Sequence, residues 1–360
     1  MAKKGLHSSE IGQRWGTPGR YHSRPMPITR YLTGITTTGS PHLGNYVGAI
    51  KPAVDFSRAT DTESFYFLAD YHALIKSEQP ERVAESTLEI AATWLALGLD
   101  PDRVTFYRQS DIPEIAELTW ILTCSTAKGL MNKAHAYKAA VDANRALAVD
   151  DDAGINMGLY MYPVLMAADI LAFRAQQVPV GRDQIQHIEI CRDLAQRFNH
   201  RFGQVLTLPE AAVNESTATL PGLDGRKMSK SYGNTIALML DEKALKKAIN
   251  KIVTNLKAPG EPKGTDESGL YPIWCAFANA AEGAWMAEQL AQGMAWGEAK
   301  RELFEKINGA VGPARERYHA LLAAPKQVEE ILLEGAKRAR VTSREVVAAA
   351  RAAVGIRALG

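Results

Sequence analysis

Short apolar runs alternating with helix-length segments constrain this chain more than any other feature. Residues 29–35 and 64–69 (SFYFLA) read as buried strands and 104–107 as a third, followed by segments of helical character over 43–56, 80–97 and 113–123. Pro80, tolerated in a first helical turn, marks where the second of those helices opens. The pattern resumes with a helix over 159–173, a short strand over 177–180 and a helix over 184–198. Strands separated by whole helices cannot pair as hairpins. They predict an α/β fold, a Rossmann-like doubly wound parallel sheet with right-handed crossovers. Ligands of such sheets bind beyond the carboxyl ends of the strands, where the strand order reverses. The turn 36–45 and residues 70–72 both follow strands in this way.

After Asn234 the strand signals stop, and 241–256, 271–281, 297–308, 313–323, 326–340 and 343–353 read as helices. Thr342 and Glu345 have capping-box spacing for the last of them. The expected organisation is a poorly ordered basic extension over 1–27, a catalytic α/β domain over 28–237 with a polar insertion near 126–157, and a C-terminal all-helical domain over 238–360. No internal repeat is present.

A charged fraction of 23% and a net charge of +2 give no global field that would draw in nucleic acid. Positive charge instead collects at the ends: Lys3, Lys4, Arg14, Arg20 and Arg24 against Glu10, then Lys337, Arg338, Arg340, Arg344, Arg351 and Arg357 against Glu345. Each end is a candidate for phosphate contact, with a solvated face as the commonplace alternative. Cys124, Cys191 and Cys275 are scattered without metal-ligand spacing, as expected of reduced thiols. No apolar run reaches the ~18 residues needed to span a bilayer, and no signal-peptide core opens the chain. A cytoplasmic protein is expected.

Two motifs carry chemistry. In Thr38-Gly-Ser-Pro-His-Leu-Gly-Asn45, glycines let backbone approach a ligand just before a helix begins. The unpaired N–H groups and positive dipole end there favour anions. His42 can donate a hydrogen bond to a phosphate oxygen as charge builds up. Alone, this motif is as consistent with a simple helix cap as with a site. The second motif is far rarer. Lys227-Met-Ser-Lys-Ser231 is preceded by Asp224-Gly225 and followed by Gly233-Asn234. Two mobile ammonium groups, Lys227 and Lys230, can follow the charge of a departing pyrophosphate and favour a transition state over a ground state. Ser231 and Ser229 add hydroxyl donors.

On a helix, Tyr162, Met166 and Asp169 recur at spacings of four and three and share one face. Tyr and Met at that spacing are usually core. A carboxylate on the same apolar face requires a partner, because burying it alone is costly. An ionised carboxylate accepts only, so the partner it requires is a donor. A site built around a buried hydrogen-bonding group rejects analogues lacking it by about 10⁴–10⁵.

Together the motifs resemble the two signatures of class I aminoacyl-tRNA synthetases: His42-Leu-Gly-Asn45 and Lys227-Met-Ser-Lys-Ser231. Tyr162-Pro-Val-Leu-Met-Ala-Ala-Asp-Ile-Leu171 and Val178-Pro-Val-Gly-Arg-Asp-Gln-Ile-Gln-His-Ile-Glu189 narrow the resemblance to the bacterial tryptophanyl-tRNA synthetase family, from about residue 30 onward. It implies ATP-dependent tryptophan activation and transfer to tRNA, with Mg²⁺ carried mainly on the phosphates, a helical C-terminal domain contacting the anticodon arm, and a homodimer. By position it implies that Thr36, Thr37, Thr38, Gly44 and Asn45 line the ATP site. Leu220 would lie against adenine, with Lys138, Met228, Ser229 and Lys230 toward the phosphates. Gly181 and Asp183, with Arg182 between them, would hold the ribose. The indole N–H, a donor without acceptor capacity, would meet Asp169; Met166, Val178 and Val180 would wall the ring, His72 would sit near it, and Gln184 would lie near the amino acid's ammonium or carboxylate. Thr36-Thr37 stands where the family commonly has Gln-Pro, Leu32 where Phe is frequent, and Arg182 where an acid is usual. Three other readings stay open: a tyrosine-specific relative, opposed by Met166 and Asp169; a small-molecule nucleotidyltransferase, which has no need of six C-terminal helices; and a non-catalytic RNA-binding paralogue, expected to have lost His42 or the lysines.

Overall fold

Five parallel strands, β1 (Thr29–Thr36), β2 (Thr62–Ala69), β3 (Thr105–Arg108), β4 (Gln177–Val180) and β5 (Glu210–Val213), lie in the order β3-β2-β1-β4-β5. This computed structural model describes residues 28–59, 61–75, 79–213 and 220–359, apart from the side chain of Asp183; the expected extension over 1–27 lies outside the described residues. The order reverses at β1, as in a doubly wound sheet. β5 has no counterpart in the sequence reading. Its sequence EAAV is poor in strand-forming residues, and it becomes a strand by pairing with β4 from Gln177↔Glu210 to Val180↔Val213.

Alternation along the strands divides the apolar residues between two cores. Phe65, Phe67, Ala69 and Tyr107 face one, with Leu118, Leu122, Val164, Ile170, Ile188 and Phe198 from the flanking helices. Tyr66, Leu68 and Phe106 face the other, with Trp94, Trp274, Leu303 and Ile307. That second core runs from the sheet into the C-terminal helices. Proline opens the helices Pro80–Ala96, Pro113–Ser125 and Pro325–Ala353, where its missing N–H leaves no bond unmade. The helical stretch 43–56 is continuous but carries a π-turn at Tyr46–Ile50.

From Glu242 onward the described elements are all helices: Glu242–Asn250, Leu270–Phe277, Ala280–Ala291, Trp296–Ala323 and Pro325–Ala353. They differ from the sequence reading in three places. Ala280–Ala291 is separate, opened by a capping box between Asn279 and Glu282. Pro313 does not break Trp296–Ala323, since burial of Phe304, Ile307, Val311 and Tyr318 on either side outweighs the lost backbone bond. Thr342 and Glu345 lie within Pro325–Ala353 and cap nothing; Thr342 and Ser343 are buried against the neighbouring elements.

That last helix covers the exposed edge of β3, closing the sheet where it would otherwise offer unpaired backbone groups. Arg338 donates to the carbonyls of Pro101 (2.5 Å) and Val104 (3.0 Å). Arg340 and Arg344 reach Glu114, and Arg351 pairs with Glu117. Much of the basic run read as phosphate-facing is therefore engaged within the chain. A methyl group at Gly335 would lie 1.7 Å from the Phe106 carbonyl oxygen. Gly335→Ala is expected to cost about 3 kcal/mol or more in urea denaturation, the upper end of overpacking penalties; a change within about 0.5 kcal/mol would refute so close a contact.

Candidate active site

The sheet comes apart where the strand order reverses. β1 pairs with β2 along its whole length, but meets β4 only at Tyr31↔Gln177. Pro179 has no N–H with which to extend a ladder. Beyond that point the strands diverge around a cavity of about 1010 Å³. Thr33, Gly34, Thr36 and Thr38 line it from the β1 side, and Val178, Val180 and Gly181 from the β4 side. His72, Tyr162, Met166, Asp169 and Gln184 complete the wall.

At the apolar end the helix Met157–Leu171, begun where Asn156 accepts the Leu159 N–H (2.8 Å), presents Tyr162, Met166 and Asp169 together. Asp169 is fully buried. Its Oδ2 lies 2.9 Å from His72 Nε2, and its Oδ1 accepts from Gln109 Nε2 at 2.7 Å. Burial raises its pKa, and the bonds from His72 and Gln109 act against that rise. A carboxylate offers about four acceptor positions, and these two donors leave room for a third. Tyr162 Oη is 2.9 Å from His187 Nε2 and stands edge-on to His72.

Next to Thr38, which lines the cavity, the lysine loop is tied directly to the histidine turn. Leu43 N–H donates to Ile236 O (3.0 Å) and Leu238 N–H to Pro41 O (3.0 Å), on either side of a bridge between His42 and Ala237. Lys230 Nζ donates to Gly39 O (2.8 Å) and Thr38 O (3.4 Å). Burial, then the neighbouring Arg82, lowers the pKa of Lys230, against the pull of Glu89. Gly39 has φ +114°, and a methyl group there would stand 3.0 Å from Arg82 Nη2 and 3.4 Å from Lys230 Nζ. Two cations therefore flank one turn, an arrangement suited to a polyanion.

His42 is buried, its Nδ1 has no hydrogen-bond partner, and burial followed by Lys230 lowers its pKa to about 4. It is neutral at physiological pH and keeps an N–H to donate. Thr37 Oγ1 is likewise buried without a partner. Asn234 shapes the loop: it accepts the Ser229 N–H (2.8 Å) and donates to Asp224 Oδ1 (2.7 Å) and to Lys227 O (3.0 Å). Ser229 and Ser231 hydroxyls are 2.8 Å apart.

Not every expected residue reaches the cavity wall. Thr37, His42, Gly44, Asn45, Ser229 and Lys230 do not line it but gather at the adjoining histidine turn; Lys227, Ser231, Lys138 and Arg182 are exposed away from it, and Leu220 and Met228 are buried in the second core, bonded through Met228 N–H to Leu220 O (2.8 Å). Gly44 and Asn45 stand beside His42, whose backbone N–H donates to Asn45 Oδ1 (3.1 Å). Sequence reasoning missed Gln109 and Arg82. The position of Gln109 directly after β3 was the available signal; Arg82, in the first turn of Pro80–Ala96, had none. Among the described residues no group of three or more His, Cys, Asp or Glu gathers to hold a metal ion. None of the described helices is long and apolar enough to cross a membrane.

Comparison with known proteins agrees with this fold. The family model for class I tRNA synthetases of the W and Y type matches residues 27–308. The tryptophan–tRNA ligase of Neisseria meningitidis is 61% identical over 335 residues, 93% of this chain and 100% of the relative. That of Pseudomonas aeruginosa is 61% identical over 334 residues, 92% of this chain and 75% of the relative. The Campylobacter jejuni tryptophanyl-tRNA synthetase, solved with ADP and tryptophan, superposes with a TM-score of 0.82 at 41% identity, covering 91% of this chain and 100% of that one. By its strand order, its two motifs and these matches, the chain belongs to the tryptophan–tRNA ligase family of class I aminoacyl-tRNA synthetases.

Proposed function

We propose that the cleft between β1 and β4 holds tryptophan at its Asp169 end and ATP at its Lys230 end, and that the chain catalyses both steps of a tryptophan–tRNA ligase. The tryptophan carboxylate attacks the α-phosphorus of ATP; the bond to the bridging oxygen breaks, leaving tryptophanyl-adenylate and pyrophosphate. The 2′-hydroxyl of the terminal adenosine of tRNA then takes the acyl group and AMP departs. No side chain need act as nucleophile, because alignment can supply much of the acceleration. Neutral His42 donates to a phosphate oxygen, while Lys230 and Lys227 neutralise the leaving pyrophosphate. Thr36, Thr38 and Gly181 border the nucleotide, Gln184 the amino-acid backbone, and Met166, Val178 and Val180 the indole faces.

Lys230 and Arg82 beside the histidine turn match phosphate oxygens, and among the described residues no three His, Cys, Asp or Glu gather to hold a metal. Mg²⁺ is therefore assigned to the ATP phosphates, where it supplies charge neutralisation. The helices after residue 238 are assigned to the tRNA anticodon arm, through basic groups not already paired inside the chain. A cytoplasmic homodimer completes the reading by family.

The observation that carries the proposal is a buried carboxylate on the wall of a cavity that is also lined by Thr38, whose carbonyl Lys230 of the lysine loop reaches. ATP–pyrophosphate exchange should be supported by tryptophan and by none of the other standard amino acids. Exchange with tyrosine instead would overturn the assignment of the pocket.

A further inference from the structure

Among the described residues that line the cavity, Asp169 is the only carboxylate, and it must stay ionised to serve as an acceptor there. What fixes it lies one layer deeper. Gln109 is fully buried, in the short turn Gln109–Asp111 that follows β3. Its carboxamide has no freedom to flip. Oε1 accepts the Tyr71 backbone N–H at 3.0 Å, so Nε2 points to Asp169 Oδ1 at 2.7 Å. Reversing the amide would set its NH₂ against an N–H and its oxygen against a carboxylate. The Tyr71 amide is itself held by Asp70 Oδ1 (3.1 Å), which also accepts the Ser110 N–H (3.0 Å). The carboxyl ends of β2 and β3 thus lock one side-chain amide in one orientation.

We propose that Gln109 is a positioning residue for tryptophan selection, holding Asp169 as an oriented acceptor through a one-way hydrogen bond so that its remaining lone pairs face the indole N–H. The proposal rests on the assignment of this pocket to tryptophan and deepens it. Gln109 does not touch the substrate. It acts through Asp169, because a donor fixed on a carboxylate favours the charged form. The other groups facing Asp169 are His72 and Asp70 from the short helix Asp70–Ala73, Tyr107 from β3, and Cys191 from the helix Ile185–Phe202. Of these His72 donates, Asp70 opposes ionisation, and Tyr107 and Cys191 are held neutral by burial. Gln109 is therefore the donor whose loss shifts the balance toward a protonated Asp169. Protonation replaces one acceptor position by an O–H.

The experiment compares tryptophan with its benzothiophene analogue, in which sulfur replaces the indole N–H, by pyrophosphate exchange from pH 5.5 to 9 (roughly the range spanning His and perturbed carboxylate titration). Gln109→Met removes the donor at nearly constant volume. The selectivity ratio for tryptophan should fall by about 10-fold to 100-fold near neutral pH and recover as pH rises. The midpoint of that recovery should lie about one to two pH units above the wild-type midpoint, the effect of one hydrogen bond to a charged group. KM for ATP should be unchanged. Gln109→Glu keeps the acceptor for the Tyr71 amide and loses the fixed donor, so it should show the same upward shift even where the Met variant fails to fold. A uniform loss of rate with the ratio and its pH profile unmoved would overturn the proposal, leaving Gln109 a packing residue. Absence of tryptophan preference in the wild type would overturn the pocket assignment beneath it, which separates the two failures.

Discussion

Lys230→Ala is expected to slow tryptophan-dependent ATP–pyrophosphate exchange by about 10²–10³-fold, the scale of removing one oriented electrostatic group from a transition state, while leaving tryptophan affinity within a few-fold. The ammonium group rests on the carbonyls of Gly39 (2.8 Å) and Thr38 (3.4 Å). These bonds hold it over the turn where a triphosphate would lie and are readily exchanged for phosphate oxygens. Burial, then Arg82 close by, lowers the pKa of Lys230, so arrival of an anion offsets the lost solvation and relieves repulsion between the two cations. The benefit grows as the bridging bond breaks and charge moves onto pyrophosphate. That is why the effect should fall on rate rather than on ground-state binding. Single-turnover adenylate formation with a separate tryptophan titration distinguishes the cases. Equal losses in both would mean that the loop serves ground-state binding only.

Asp169→Asn should lower kcat/KM for tryptophan by about 10²–10³-fold and the benzothiophene analogue far less, so that most of the selectivity disappears. Two protein donors, His72 Nε2 and Gln109 Nε2, already converge on this carboxylate, and the indole N–H would be a third. An asparagine offers one oxygen and must turn its NH₂ toward another donor. At least one buried donor then loses its acceptor, at about 1–3 kcal/mol, besides the loss of a charged partner for the substrate. Kinetics on the two amino acids give the answer directly; undiminished selectivity would remove Asp169 from the indole site.

Much of this was legible in the chain before its structure. Strand and helix alternation specified a doubly wound sheet because each strand shows its own buried pattern, SFYFLA most clearly. The Tyr162, Met166 and Asp169 stripe was readable because helical spacing places such residues together whatever else the fold does. Other features were not local. β5 exists only through its partner β4, and no propensity in EAAV announces it. Trp296–Ala323 runs through Pro313 because burial on both sides sustains it, which is a tertiary effect. The lysine loop was legible as a motif, but the resting place of Lys230 on the Gly39 carbonyl was not, nor was Arg82 beside it. Gln109 carries no motif at all, and its role is defined by a neighbour 60 residues away.

The seam between Gly335 and Phe106 has a practical consequence for recombination among relatives. Because a bare backbone crossing joins the final helix to β3, and the next residues after that strand include the amide that orients Asp169, the helical half is not an interchangeable cassette. A chimaera joined near residue 238 would pair one parent's helix with the other parent's strand. Such hybrids should retain solubility and lose fidelity unless residues 101–117 travel with the graft.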